Sequence, residues 1–225
     1  MHESIGPFED RRQAGRELAE SLEEYAGTDA IVLAIPRGGV TVAYEVATVL
    51  DLELDVIVPR KIGAPGQPEL AIGAVASWGD HDYILDEQSV AYLQVSRQYI
   101  EREVQVQLEE VNRRLLAYRE TTSPPDVRGR SVILVDDGIA TGYTTRAAAL
   151  ALRKLQASRI TLAVPVAPPD SLRNLHDCVD DIVCLRTPYQ FYAVGYWYRD
   201  FEQVSDDEVT AMLRASRSRA PRQTG

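Results

Sequence analysis

Two adjacent carboxylates follow an apolar run in Val132-Ile133-Leu134-Val135-Asp136-Asp137-Gly138-Ile139-Ala140-Thr141-Gly142-Tyr143-Thr144-Thr145. A turn of small and hydroxyl-bearing residues comes next, and then an alanine-rich helix. A turn that opens a helix aims unpaired backbone N–H groups at one point, which makes an anion site reinforced by the helix dipole. Gly138 and Gly142 let the main chain approach an oxygen closely. Thr141, Thr144 and Thr145 add hydroxyl donors. Acids beside such a turn repel a phosphate unless they meet something else, and vicinal hydroxyls or a divalent ion would satisfy them. The segment therefore fits a ligand with a phosphate at one end and a diol with a divalent ion at the other. It is not a P-loop, because Gly-Lys-Ser/Thr is absent, and it lacks the G-x-G-x-x-G of a dinucleotide site. An acidic pair turned inward into salt bridges would defeat this reading.

Ile35-Pro36-Arg37-Gly38-Gly39 also ends an apolar run and opens a helical pattern. The same helix-terminus argument makes it a second anion pocket, with Arg37 contributing a fork of donors suited to phosphate. Tyr189, Phe191, Tyr192, Tyr196, Trp197, Tyr198 and Phe201 crowd one segment near the C-terminal end. Their faces could stack on a flat molecule or pack against one another. Other chemistries find no support. His2, His81 and His176 do not cluster, G-x-S-x-G is absent, and Cys178 and Cys184 fit no zinc spacing. Both cysteines read as packing residues.

The elements that must position these residues alternate. The pattern predicts a helix over Phe8–Tyr25, a strand over Ala30–Ile35, a helix over Val40–Leu50 and a strand over Asp55–Val58. Gly63-Ala64-Pro65-Gly66-Gln67-Pro68 reads as a loop. Ile72–Ser77 and Tyr83–Asp86 read as a hairpin around Gly79-Asp80. Ser89–Arg119 reads as one long helix with Val104, Leu108, Val111 and Leu115 on its apolar stripe. That helix packs across its own domain or makes a subunit contact, and the first is the simpler expectation. Strands at Ser131–Val135, Arg159–Val166 and Asp181–Leu185 alternate with helices at Thr145–Leu155 and Pro169–Leu175. Residues 215–225 read as a frayed tail. Near-continuous apolar strands alternating with helices imply an α/β fold, a parallel sheet covered on both faces.

The chain has 225 residues, 45% of them hydrophobic, and a net charge of −10. The charge argues against a broad nucleic-acid surface, so a polyanion site must be a local island of donors. No stretch approaches the roughly 20 apolar residues of a membrane span, and Met1–Asp10 carries no signal-peptide pattern. A cytoplasmic protein is expected, with a homodimer as the default assembly.

The segment from Val132 to Thr145 resembles the motif by which type I phosphoribosyltransferases bind 5-phosphoribosyl-1-diphosphate (PRPP): apolar strand, two acids, two variable residues, then Ala-Thr-Gly-x-Thr. The resemblance extends over roughly Ala30 to Phe201, with an inserted hairpin and long helix at about residues 79–119. It is greatest to an uncharacterised bacterial and archaeal branch carrying Pro-Arg-Gly-Gly, Arg-Lys-Ile-Gly and Phe-Tyr-Ala-Val-Gly. It implies that Asp136 and Asp137 contact the ribose hydroxyls, directly or through Mg2+. Gly138, Ile139, Ala140, Thr141, Gly142, Tyr143 and Thr144 would hold the 5′-phosphate. Pro36, Arg37, Gly38, Gly39, Arg60 and Lys61 would hold the diphosphate, with a cis peptide joining Pro36 to Arg37. Lys61 is one of only two lysines in an arginine-rich chain and lies at the family's mobile active-site loop. Phe191, Tyr192, Val194 and Tyr196 would form a hood at about residues 186–204 over a small-molecule acceptor. Asp136, Asp137, Lys61 and Arg37 are the catalytic candidates.

The implied reaction displaces diphosphate from the anomeric carbon by a nitrogen nucleophile. Ala140 stands where purine-salvage relatives for hypoxanthine and guanine carry an aspartate base, and Val166-Ala167-Pro168 replaces their purine-reading lysine. A 6-oxopurine acceptor is disfavoured, and no residue stands out as general base. A non-catalytic PRPP sensor on the same fold is the competing reading.

Overall fold

The computed structural model describes residues 6–76 and 83–219, without the side chains of Glu69 and Ala76. Five strands, β1 (Ile31–Ala34), β2 (Glu53–Val56), β6 (Ser131–Val135), β7 (Arg159–Val166) and β8 (Asp181–Arg186), form a parallel sheet in the order β2-β1-β6-β7-β8. Alternation along each strand divides the core. Val32, Ala34, Ile133 and Val135 face α1 (Arg11–Glu20), α2 (Gly38–Leu50), α4 (Arg97–Arg119) and α7 (Asp206–Arg219). Ile31, Leu33, Val132 and Leu134 face α5 (Tyr143–Lys154) and α6 (Pro169–Arg173). Both faces are covered, as a parallel sheet requires. Among the described residues no helix is long and apolar enough to cross a membrane.

The order of strands locates a crevice. From β1 the chain proceeds through α2 outward to β2, whereas from β6 it proceeds the other way to β7 and β8. Connections therefore diverge between β1 and β6, and ligands of open α/β sheets bind beyond the carboxyl ends of strands at such a point. The two predicted anion loops lie there, one after each strand. Ile35 N donates to Val135 O at 2.8 Å and keeps the two strand ends in register.

Three expectations change. The predicted loop at Gly63–Pro68 is the turn of a hairpin, β3 (Pro59–Ala64) with β4 (Gln67–Ala76). Gly66 takes φ +72°, which glycine adopts at no steric cost. Pro68 is accommodated because β4 pairs β5 (Tyr83–Leu85) only from Gly73 onward. The Gly79-Asp80 turn lies outside the described residues, but the strands flanking it are antiparallel as expected. The single helix over Ser89–Arg119 is two, α3 (Glu87–Tyr92) and α4. Gln94 turns left-handed at φ 51°, and the Ser96 hydroxyl caps α4 by accepting from Tyr99 N. Finally, α7 continues to Arg219, where a tail was expected from Ala215. Acids in its first turn and arginines in its last suit the helix dipole.

The stripe of α4 packs on its own domain. Val104, Val111 and Leu115 are buried and Leu108 lies against the same core. The Arg119–Asp55 ion pair (2.8 Å) and the bond from Tyr118 to Asp206 (2.6 Å) anchor its C-terminal end.

Candidate active site

The two loops meet across the crevice. A Cβ on Gly39 would lie 2.9 Å from Asp136 Cα and 3.1 Å from Asp136 Oδ1, and one on Gly38 would collide with the Asp137 carboxylate. Both glycines are required by this approach. The Pro36–Arg37 peptide is cis, as the resemblance implies. Asp136 Oδ1 accepts from Asp137 N at 2.8 Å. Burial, and then the neighbouring Asp137 charge, push the Asp136 carboxyl well above the usual carboxylate range. Burial also raises Asp137, against the pull of Arg11.

The acidic pair is not free of internal partners. Arg11, at the start of α1, donates from Nε to Asp137 Oδ2 at 2.7 Å, with both side chains largely buried. This is one nitrogen on one oxygen rather than a two-pronged fork. The inward salt bridge that would count against a ligand site therefore exists for one acid, and Asp136 makes no ion pair among the described residues. Sequence reasoning missed Arg11. Its partner is 126 residues away, and nothing local marks it out within Arg11-Arg12.

Around the phosphate turn, Gly142 stands at the N-cap of α5 with φ +81°. The N–H groups of Tyr143, Thr144 and Thr145 precede the first helical bond, from Arg146 N to Gly142 O. The Thr141, Tyr143 and Thr144 side chains are exposed and that of Thr145 is buried. Ile139 departs from its expected role, since its side chain is buried and its N–H is spent on Val166 O at 2.9 Å. Ala140 O accepts from the Ser171 hydroxyl at 2.5 Å.

Arg37 Nη1 lies 3.9 Å from Asp206 Oδ1. Arg60 Nε donates to Gln107 on α4 at 3.0 Å. Lys61 follows on β3, so successive side chains point to opposite faces, and the β3–β4 hairpin packs against both α4 and α5. In the segment expected to form the hood, Val194 would lie 2.6 Å from a Cβ on Gly138, which docks the segment on the phosphate turn. Tyr192 and Tyr196 are 82% and 75% exposed, with ring centroids 5.9 Å apart, so these two present faces to solvent. Phe191 is half-buried. Tyr198 is buried: its hydroxyl donates to Asp137 O at 2.5 Å and its ring stacks on Phe201.

Residues 3–198 match the family model described as the phosphoribosyl transferase domain. The chain belongs to the phosphoribosyltransferase family. A Mycobacterium tuberculosis (strain H37Rv) protein named by inference as a phosphoribosyl transferase is 44% identical over 206 residues, 92% of this chain and 46% of that one. The chain thus spans about half the length of the curated relatives it matches. The crystal structure of the Thermus thermophilus protein TT1426 superimposes with a TM-score of 0.80 at 42% identity, covering 92% of this chain and 97% of that one. A uracil phosphoribosyltransferase of Lactobacillus gasseri is 39% identical over 59 residues, 26% of this chain and 28% of that one.

Within this family member the structure brings together one part of the expected site. The acids, Gly38, Gly39, Gly138 and Val194 form one contact network, and α5 opens beside it. Phe8, unremarkable in sequence, supports the hood from below: its N–H donates to Trp197 O and its ring lies 5.4 Å from that of Tyr198. Cys178 and Cys184 carry thiols raised by burial, to about 11 at Cys184, which suits packing residues.

Proposed function

We propose that this protein binds PRPP with Mg2+ and transfers the phosphoribosyl group to a nitrogenous acceptor, releasing diphosphate. One observation carries the reading. Two glycine-bearing loops, after adjacent parallel strands, close on a shared pair of carboxylates beside the open end of α5. The first N–H groups of α5, with Thr141 and Thr144, would take the 5′-phosphate. The Pro36–Gly39 loop, with Arg37 and Lys61, would take the diphosphate.

Asp136 and Asp137 fit a magnesium ion that keeps waters and ligand oxygens in its shell. Among the described residues no group of three or more His, Cys, Asp and Glu side chains forms a protein-only metal site. The ion, bound with the substrate, would neutralise the leaving diphosphate. The chain's own residues hold the sugar between the acids and the phosphate turn, while the β3–β4 hairpin and hood limit water. Tyr192 and Tyr196 offer aromatic faces to a flat acceptor. Ala140 offers no side-chain base, so a nucleophile that needs no deprotonating aspartate at this position is favoured over a 6-oxopurine.

The test is diphosphate release from PRPP and Mg2+ across a panel of purine, pyrimidine and simpler nitrogen bases. Turnover with one of them supports the transferase. Tight PRPP binding with no turnover on any base would favour a sensor on the same fold. No PRPP binding would remove the reading altogether.

A further inference from the structure

We propose that Arg11 is a positioning residue that couples the hood to the acidic pair, so that occupancy of the sugar-phosphate site is transmitted to the acceptor side. The inference rests on the reading of function above. Arg11 touches three parts of the site at once. Its Nε donates to Asp137 Oδ2 at 2.7 Å, and its Nη1 donates to Glu202 O at 2.8 Å. Its guanidinium carbon lies 3.8 Å from the centroid of the Phe201 ring. A Cβ on Gly38 would lie 2.9 Å from the same Nε, so the guanidinium also lies against the Pro36–Gly39 loop.

A guanidinium is planar and rigid. If the Asp137 carboxylate moves to meet a ribose hydroxyl or an ion, Arg11 must follow it or break a bond. Following it displaces the Glu202 carbonyl and the Phe201 ring. Only 10% of the Arg11 side chain is exposed, so water offers little replacement for a lost partner and the charge-assisted bonds are worth keeping. The second link between hood and acids, from Tyr198 to Asp137, ends on a backbone carbonyl. It is fixed by the strand end and does not sense the carboxylate. Arg11 is therefore the connection that reads the side chain a ligand would meet. A lysine at this position would keep the charge but could not span Asp137 and Glu202 in the same geometry.

The hood carries its own reporter. Trp197 ends the short 3-10 turn Val194–Trp197, and the chain's other tryptophan is Trp78. In a Trp78→Phe background, PRPP with Mg2+ is titrated while Trp197 emission is followed, and the affinity is measured separately by calorimetry. Wild-type protein is expected to bind and to shift Trp197 emission. Arg11→Gln should bind about tenfold more weakly and show no Trp197 shift at saturation. Arg11→Lys should recover part of the affinity but not the shift. A residue that merely stabilised the fold would lower the melting temperature and leave the shift at saturation intact. Phe201→Leu weakens the hood end alone, and its Trp197 shift should fall by a larger factor than its affinity. If Arg11→Gln does not fold, an undiminished shift in Phe201→Leu overturns the proposal. It is equally overturned if Arg11→Gln keeps its affinity within about twofold together with the shift, or if the wild type binds PRPP with no shift. Failure of the wild type to bind PRPP removes the functional reading and this inference with it, an outcome that calorimetry separates from the others.

Discussion

Gly39 and Asp136 meet so closely that a methyl group at position 39 would lie 2.9 Å from the Asp136 Cα. The contact belongs to backbone on one side, so no rotamer change relieves it. It holds the two anion loops at one distance across the crevice. Gly39→Ala should force the strand ends apart, at a cost of roughly 1–3 kcal/mol, and should weaken PRPP protection against heating beyond what that loss of stability explains. Melting with and without PRPP and Mg2+ measures both effects.

The two acids should respond oppositely to neutralisation. Asp136 is held above its ordinary value of 3.8 by burial and by Asp137. An acid raised in this way binds its proton more tightly when folded than when unfolded. Ligand-free stability therefore falls as pH rises from about 4 through the folded-state value. Asp136→Asn should flatten that slope, leaving the part that the likewise raised Asp137 contributes, and raise the melting temperature at neutral pH. Asp137→Asn strands Arg11 in a largely buried position and should cost roughly 1–3 kcal/mol. Both should lose PRPP protection, and Asp136→Asn combined with Asp137→Asn should abolish it. Protection of the double variant by PRPP would show the site assignment to be wrong.

Docking of the hood on the phosphate turn can be isolated. A Cβ on Gly138 would lie 2.6 Å from Val194 Cγ1, so Gly138→Ala should push the hood away. Val194→Ala removes the obstructing methyl groups. The double variant should recover about 1 kcal/mol or more relative to the sum of the single changes. Additive effects would mean that the damage at Gly138 lies in the turn itself.

What sequence could reveal here was local. The apolar run into Asp136 and Asp137 and the Pro36–Gly39 turn each carry their chemistry within a few residues, and alternating strands and helices imply the sheet that aligns them. Long-range pairings were invisible. Arg11 and Asp137, or Phe8 and Tyr198, are joined only by the path of the chain, and the crevice follows from a strand order that no single segment encodes. Turn chemistry misled in two places. Pro65-Gly66 reads as a breaker of regular structure, yet it is the tight corner of a hairpin. Ser96 sits within a helical period and yet acts as a cap, because its hydroxyl competes for the Tyr99 N–H.

Neighbouring cations on β3 offer the last discrimination. Arg60 and Lys61 are adjacent in sequence and both suit a diphosphate, but a strand sends them to opposite faces. Arg60 turns to Gln107 on α4, which ties it to the scaffold. Lys61 is then the cation on the face away from Arg60, on a hairpin that also packs against α5. Lys61→Ala should weaken PRPP binding about tenfold. Arg60→Ala should lower the melting temperature through the lost bond to Gln107, with a smaller loss of affinity. Calorimetric titration of both variants with PRPP and Mg2+ decides the matter: equal losses of affinity would place both cations on the diphosphate, and a larger loss at Arg60 would reverse the assignment of faces.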